Sequence, residues 1–465
     1  MNDPMLTVEK IGGTSMSQFD QVLKNIIIGN RKPGDYYNRV FVVSAYNNVT
    51  NWLLEHKKTK EPGIYTLFAE GKDYNAALAE ILEKLIDINK SFENIGLDLN
   101  AANYFIKTRI IQTKNYLNSL ADVLATGYIA KKDILLAARE ILASIGEAHS
   151  AFNSVNILKN NNINAQFIDL CGFNDPEHLT IDQRIHNAFK GIDFSKVLCI
   201  ATGYTKGTEG IMREFDRGYS EVTFSKIAVE LKADEAIIHK EFHLSSADPK
   251  LVGVDKSIVV GFTNYNVADQ LADIGMEAIH PKASKPLEIA GINIRIKNTF
   301  EPEHPGTLIS KDYVSKESKI EIVTGSDKVT AIEVHDPFMV GEVGFDYAIM
   351  EYFKKYNISY ILKSSNANSI TTVIWEDEVY PELINDLEKR FHKVTVKNVA
   401  IVCTLGTNIA KPGILAKATH ALAANNINVE SISQSLSQVS IQFVINRDDY
   451  TKAIIALNDA LCVNG

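Results

Sequence analysis

The spacing of apolar residues changes several times along the chain, and each change predicts a different element. Residues 6–11 form a short β-like run that ends directly in Gly12-Gly13-Thr14-Ser15. Residues 18–28 carry helical spacing. Residues 40–43 are continuously apolar, as in a strand buried on both faces, and lead into Ser44-Ala45-Tyr46-Asn47. From 74 to about 150 the pattern predicts long helices, with heptad-like spacing over 76–92 and 101–124. Strand-like segments return at 165–170, 197–202, 236–239, 258–260 and 292–296, separated by helical patterns at 181–189, 220–232 and 266–274. Strands alternating with helices predict an α/β fold with a mainly parallel sheet covered on both faces.

The texture shifts near residue 300, where Glu301-Pro302-Glu303-His304-Pro305-Gly306 forms a breaker cluster. Beyond about 315 the chain runs twice through one β-α-β-β-α pattern of roughly 70 residues. The first copy predicts strands at 329–334, 358–362 and 370–375, a helix opened by Gly341 and Gly344 that runs to 356, and a helix at 381–391. The second predicts strands at 399–403, 429–433 and 439–445, a helix opened by Pro412-Gly413 that runs to 425, and a helix at 450–461. Such a unit leaves a sheet face or edge bare and buries it by pairing.

Composition narrows the function classes. With 45% hydrophobic and 23% charged residues the 465-residue chain can build cores, and its length suits about three domains. A net charge of −9 argues against a general nucleic-acid binder but leaves nucleotides open. The first ten residues carry two acids and no apolar run, so no signal peptide is expected, and no stretch approaches a membrane span. The cysteines Cys171, Cys199, Cys403 and Cys462 are far apart and form no C-x-x-C pair, which fits a reducing cytoplasm.

Three segments carry candidate chemistry. Lys10-Ile11-Gly12-Gly13-Thr14-Ser15 sets a glycine pair between a strand and a helix. Glycines let backbone approach a phosphate, helix-start amides bind anions, and Lys10 could neutralise a transferring phosphoryl group. The alternative is a tight turn with a solvated lysine, and Walker A spacing is absent. A second glycine loop, Thr202-Gly203-Tyr204-Thr205-Lys206-Gly207, follows a strand. Asp216-Arg217-Gly218-Tyr219-Ser220-Glu221 opens a helix and offers an arginine suited to a carboxylate; it reads equally well as a helix cap with a surface ion pair. Glu147, in Gly146-Glu147-Ala148-His149-Ser150, reads by itself as a solvated helical residue. His239 and His243 lack the H-E-x-x-H order of a zinc helix.

Taken together, VEKIGGTS, VVSAYNNVTN, GEAHS, DRGYSEVT, SSADPKLV and HPKA resemble, in order and spacing, the motifs of aspartate kinases of the amino acid kinase fold. The doubled tail resembles the paired ferredoxin-like ACT domains of the same enzymes. Several stretches, among them EKIGGTSM, GEAHSAFN and GMEAIHP, look like the specialised type associated with ectoine synthesis. The resemblance implies a catalytic domain over 1–312 with a helical insertion at about 70–145, then ACT-like domains over 320–393 and 396–465. It implies phosphorylation of L-aspartate to 4-phospho-L-aspartate with ATP and Mg2+, and a homodimer formed through the tail. By motif match, Lys10 contacts the transferring phosphate and Gly12, Gly13 and Ser15 surround the phosphates. Ser44 and Thr50 belong to the aspartate pocket, Glu147 holds the α-amino group, Arg217 clamps the α-carboxylate, and Ser220 and Glu221 follow in the same motif. Gly203, Lys240, Asp248 and Lys250 fall on the nucleotide side.

The departures fall mostly on that side. Glu221 stands for the family's aspartate, Asp216 and Tyr219 for two glycines, His239-Lys240 for a Thr-Asp pair, Lys250 for an arginine and Glu277 for a lysine. Lys240 or Lys250 is expected to supply the displaced positive charge. In the tail, Ile361 and Ala367 stand where lysine-regulated relatives carry carboxylates. Two other readings stay open on these residues: a kinase for another small carboxylate, and a non-catalytic amino-acid sensor.

Overall fold

The computed structural model describes residues 5–463 apart from 58, 216, 217 and 277. The described residues gather into two compact units, one from Met1–His243 and His280–Gly306, the other from Leu244–Ile279 and Thr307–Gly465.

The first unit holds β1 (Thr7–Ile11), β2 (Arg39–Val43), β3 (Ala165–Ile168), β4 (Leu198–Thr202) and β5 (Glu235–Lys240). The next strand, β6 (Phe262–Asn264), belongs to the second unit, and β7 (Asn293–Asn298) returns to the first. The order within the first unit is β3-β4-β2-β1-β5-β7, with every neighbouring pair parallel. All residues of β1, β2 and β4 are buried, as a parallel sheet covered on both faces requires. Between β2 and β3 lie the long helices Asn75–Ser91, Leu99–Thr126 and Lys131–Asn160. The last of these, called α1 below, is buried without a break over residues 142–151, so its middle runs through the interior and carries Glu147 and His149 with it.

Two local expectations shift. Residues 18–28 are helical, but after Phe19–Gln21 the turn widens to a π-helix over Val22–Ile28. Its last carbonyls, on Ile26 and Ile27, accept from the Arg39 guanidinium at 2.9 and 3.2 Å. The strand expected at 258–260 is reduced to one bridge between Ser245 and Val259, and the pairing strand is β6, which lies parallel to β8 (Thr307–Ser310).

In the second unit, β9 (Ile322–His335), β10 (Leu362–Ser365), β11 (Ser369–Trp375), β12 (Lys393–Leu405), β13 (Val429–Ser433) and β14 (Ser440–Asn446) form one antiparallel sheet in the order β10-β11-β9-β12-β14-β13. Both copies are β-α-β-β-α, with helices Phe345–Lys355 and Pro381–Arg390 in one and Ile414–Ala424 and Tyr450–Asn458 in the other. The copies share their first strands. The second half of β9 pairs with the first half of β12, the reverse holds for the other halves, and a register shift between Val399 and Ile401 marks the junction. Each copy therefore completes its sheet with a strand borrowed from the other. Separate cores lie beneath, one around Ile332, Phe353 and Leu387, the other around Val402, Leu422 and Phe443. Residues 244–279, grouped by sequence with the kinase part, pack in this unit: Val323 N donates to Ser246 O at 2.6 Å and Ser246 Oγ to Asn458 Oδ1 at 2.8 Å.

Candidate active site

The carboxyl ends of β1, β2, β4 and β5 adjoin one another in the sheet, the location where open parallel sheets bind ligands. Lys10, next to last in β1, is buried. The chain then turns through Gly12 into the short helix Gly13–Met16. Glycine at 13 is a packing requirement, since a Cβ there would lie 2.6 Å from the Ala45 carbonyl oxygen. At Gly12 it would make only ordinary contacts, with Glu241 Oε1 at 3.8 Å and His239 O at 3.9 Å, so packing does not demand that glycine. Ser15 Oγ lies 3.1 Å from Thr299 Oγ1 and donates to Glu241 Oε1 at 3.4 Å.

Ser44 follows β2 directly. Its N–H donates to Ile11 O at 3.1 Å, and its carbonyl accepts from Ser150 Oγ of α1 at 2.8 Å, which ties the β1 and β2 ends to that helix. Thr50 sits half-buried in the first turn of Val49–Leu53.

Glu147 is the centre of the arrangement. It is 2% exposed, Ser220 Oγ donates to its Oε1 at 2.5 Å, and the Tyr204 backbone N–H also donates to the carboxyl. Its Oε2 is buried with no hydrogen-bond partner among the described residues. Burial pushes its pKa up to about 8, against the opposing pull of the Ser220 bond and of Lys10. Ser220 reaches it because Gly203 has no side chain: a Cβ on Gly203 would lie 2.8 Å from Ser220 Cβ and 2.9 Å from Val43 O. The glycine after β4 thus packs against the Ser220 side of the site.

Glu221 closes the other side. Its Oε1 is 3.5 Å from Lys10 Nζ, and its Oε2 accepts from the His280 backbone N–H at 2.6 Å. Burial alone would raise its pKa, but Lys10, Lys240 and the His280 amide outweigh burial and hold it below the usual value. Lys10, Glu147, Ser220, Glu221 and Lys240 therefore form one electrostatically linked group, and the Gly12–Gly13 turn begins two residues beyond Lys10.

His239 and Lys240 diverge because successive strand residues face opposite ways. His239 Nε2 donates to Glu9 Oε2 at 2.7 Å on the other sheet face, where Glu9 also takes two bonds from Arg39, at 2.6 and 3.0 Å. Burial lowers the His239 pKa and keeps the ring neutral, while Arg39 and His239 overcome burial to hold Glu9 ionised. His239 is thus a structural histidine, and Lys240 alone of the pair acts on Glu221.

Asp248 and Lys250 lie in the second unit, where the Asp248 carboxylate caps the turn Pro249–Val252 by accepting from Lys250 N at 2.9 Å. Arg217 and Glu277 lie outside the described residues. Sequence reasoning did not single out Tyr204, His280 or Glu241, although the first two fall inside segments it quoted.

The model of the amino acid kinase family matches residues 5–298, and an ACT domain model matches residues 402–461. The chain is 48% identical to the aspartate kinase Ask_Ect of Stutzerimonas stutzeri, over 98% of this chain and 97% of that one. It is 24% identical to the chloroplastic aspartokinase 1 of Arabidopsis thaliana, over 98% of this chain and 80% of the relative. Among solved structures, the aspartate kinase of Clostridium acetobutylicum superposes with a TM-score of 0.72 at 23% identity, covering 98% of this chain and 100% of that one. Aspartokinase III of Escherichia coli, in complex with aspartate and ADP, superposes with a TM-score of 0.73 at 20% identity, covering 98% and 99%.

Proposed function

The chain belongs to the aspartate kinases of the amino acid kinase family, and from that membership we propose that it transfers the γ-phosphoryl group of ATP to the side-chain carboxylate of L-aspartate, releasing ADP and 4-phospho-L-aspartate. The observation that carries this reading is the Glu147 carboxyl, with one oxygen bonded to Ser220 and the other buried and without a hydrogen-bond partner among the described residues. An α-ammonium group supplies the charge and donors that oxygen lacks. The aspartate carboxylate is the nucleophile and is already ionised at neutral pH, so no general base is needed. What remains is positioning and neutralisation of phosphate charge.

In this reading Lys10 stabilises charge on the transferring phosphoryl group, and Glu221 holds Lys10 in place. Gly12, Gly13 and Ser15 face the phosphates, with Gly203 and Lys240 on the nucleotide side. Ser44, Thr50, Ser220 and Arg217 complete the aspartate pocket. MgATP is the donor: magnesium is usually held by phosphates and one or two carboxylates, and Glu221 is the carboxylate set beside Lys10. The identity to Ask_Ect supports placing the chain with the type associated with ectoine synthesis. We place it in a reducing compartment such as the cytoplasm; its four cysteines are free, and among the described residues no helix is long and apolar enough to cross a membrane. A homodimer formed through the C-terminal tail belongs to the same proposal.

The test is ADP release coupled to an optical readout, with L-aspartate, L-glutamate or no acceptor. Release that depends on aspartate supports the reading. Equal release with glutamate overturns the substrate assignment, and no release with either overturns the activity.

A further inference from the structure

Seven positions before Glu147 on α1 lies a second, half-buried carboxylate, Glu140. Seven residues are two turns, about 10 Å along the axis, so the two side chains share a face of the helix. Glu140 is fully engaged. Its Oε2 accepts from the Tyr204 hydroxyl at 2.5 Å, its Oε1 accepts from Met212 N at 2.8 Å, and the Arg213 amide donates to it as well. Those two amides open the helix Ile211–Phe215, so Glu140 caps that helix from a distant part of the chain. The segment it anchors runs on to Ser220, which Glu147 holds. Helix α1 therefore grips the helix Ile211–Phe215 through Glu140 and Ser220 through Glu147. Tyr204 spans the two grips, giving its backbone N–H to Glu147 and its hydroxyl to Glu140, with its ring edge-on to Tyr219 at 5.9 Å.

We propose that Glu140 and Tyr204 are positioning residues for the aspartate half of the site, holding the helix Ile211–Phe215, Ser220 and the Glu147 carboxyl in register. This rests on the kinase reading above. Among the described residues, the Tyr204 hydroxyl and the Glu140 carboxylate bond to each other and to the start of the helix Ile211–Phe215, the Tyr204 backbone N–H bonds to Glu147, and none of these bonds goes to Lys10 or the Gly12–Gly13 turn. Loosening them therefore misplaces the amino-acid acceptor and leaves the phosphate side in place.

The experiment compares wild type, Tyr204→Phe, Glu140→Gln and the double variant, with initial rates measured against aspartate and, separately, against ATP. Tyr204→Phe keeps the ring and its packing and removes only the bridging hydroxyl, so it reports even where Glu140→Gln folds poorly. The expected result is a KM for aspartate raised about tenfold in each single variant, a KM for ATP within about twofold of wild type, and a double variant no worse than the weaker single one. Equal changes in both KM values would show a general structural role, and unchanged kinetics would show no role; either outcome overturns the proposal. Wild-type protein inactive with aspartate overturns the kinase reading itself and takes this proposal with it, a result separable from variant-specific failure.

Discussion

Glu147 and Ser220 meet at 2.5 Å across 73 positions of sequence, and the bond occupies only one of the two Glu147 oxygens. The other oxygen is buried, and burial raises the carboxyl pKa to about 8. At neutral pH the ligand-free group is mostly protonated. An ammonium ligand needs the ionised form, so aspartate binding releases a proton. The KM for aspartate should fall as pH rises from about 6 to 8 and level off above that, while the KM for ATP changes less. A flat aspartate profile across this range contradicts the assignment.

The same shift makes a stability prediction. The folded-state pKa is raised above the ordinary carboxylate value, so between about pH 4.5 and 8 the folded chain binds more protons than the unfolded one. Glu147 therefore costs more stability as pH rises through that window. Glu147→Gln removes the titration and keeps a polar group for Ser220. It should melt higher than wild type at pH 8, with the difference shrinking at pH 5, while the KM for aspartate rises. An advantage that is larger at pH 5 would reverse the sign and refute it.

Much of this arrangement is legible in the sequence, for identifiable reasons. The Lys10-Gly12-Gly13 turn, the buried β2 run and the β-α-β-β-α repeats depend on local spacing. The halves that β9 and β12 exchange were hidden, because that register is set by pairing between strands far apart in the chain. Glu140 and His280 act through bonds spanning 64 and 59 positions, which no local pattern announces. His239, met in sequence as half of a departed nucleotide motif, turns to the opposite face from Lys240; only the register of Glu9 beside Ile237 explains where it goes.

Lys10→Ala should lower kcat by about 10²- to 10³-fold if the ammonium group acts on developing phosphate charge. Glu221 keeps Lys240 and the His280 amide as partners, so the protein should remain folded. Steady-state rates and circular dichroism on the same preparation decide this. A folded variant turning over at near wild-type speed removes Lys10 from the mechanism.

The Glu9–Arg39–His239 network predicts a different outcome. Arg39 is 5% exposed, holds both Glu9 oxygens and closes the π-helix through the Ile26 and Ile27 carbonyls. Arg39→Met removes the cation and leaves buried Glu9 with only the neutral donors His239 and the Thr7 hydroxyl among the described residues, at a cost of about 3–5 kcal/mol. The expected signature is a clearly lowered melting temperature with near-normal KM values in whatever fraction folds. A variant that melts with wild type would show the network to be dispensable.

The tail bears on regulation. Ile361 is 8% exposed and its N–H donates to Val373 O at 2.8 Å, so it is a buried sheet-edge residue with no charge to offer. Ala367 is exposed in the turn between β10 and β11. The polar neighbour Asn366 is already committed, its Oδ1 accepting from Asn368 N at 3.1 Å and Ser369 N at 2.9 Å. With isoleucine and alanine where lysine-regulated relatives carry carboxylates, a bound lysine would bury its ammonium without a counter-charge, a loss of several kcal/mol. Millimolar lysine should therefore leave the rate unchanged, and the protein should run as a dimer by light scattering at micromolar concentration. Threonine alone and lysine with threonine belong in the same assay. Strong inhibition by lysine alone would mean that the ammonium finds a carboxylate elsewhere in the unit, with Glu333, the acceptor for Thr371 Oγ1 at 3.3 Å, the first residue to replace. A monomer would remove the dimer-forming role of the tail.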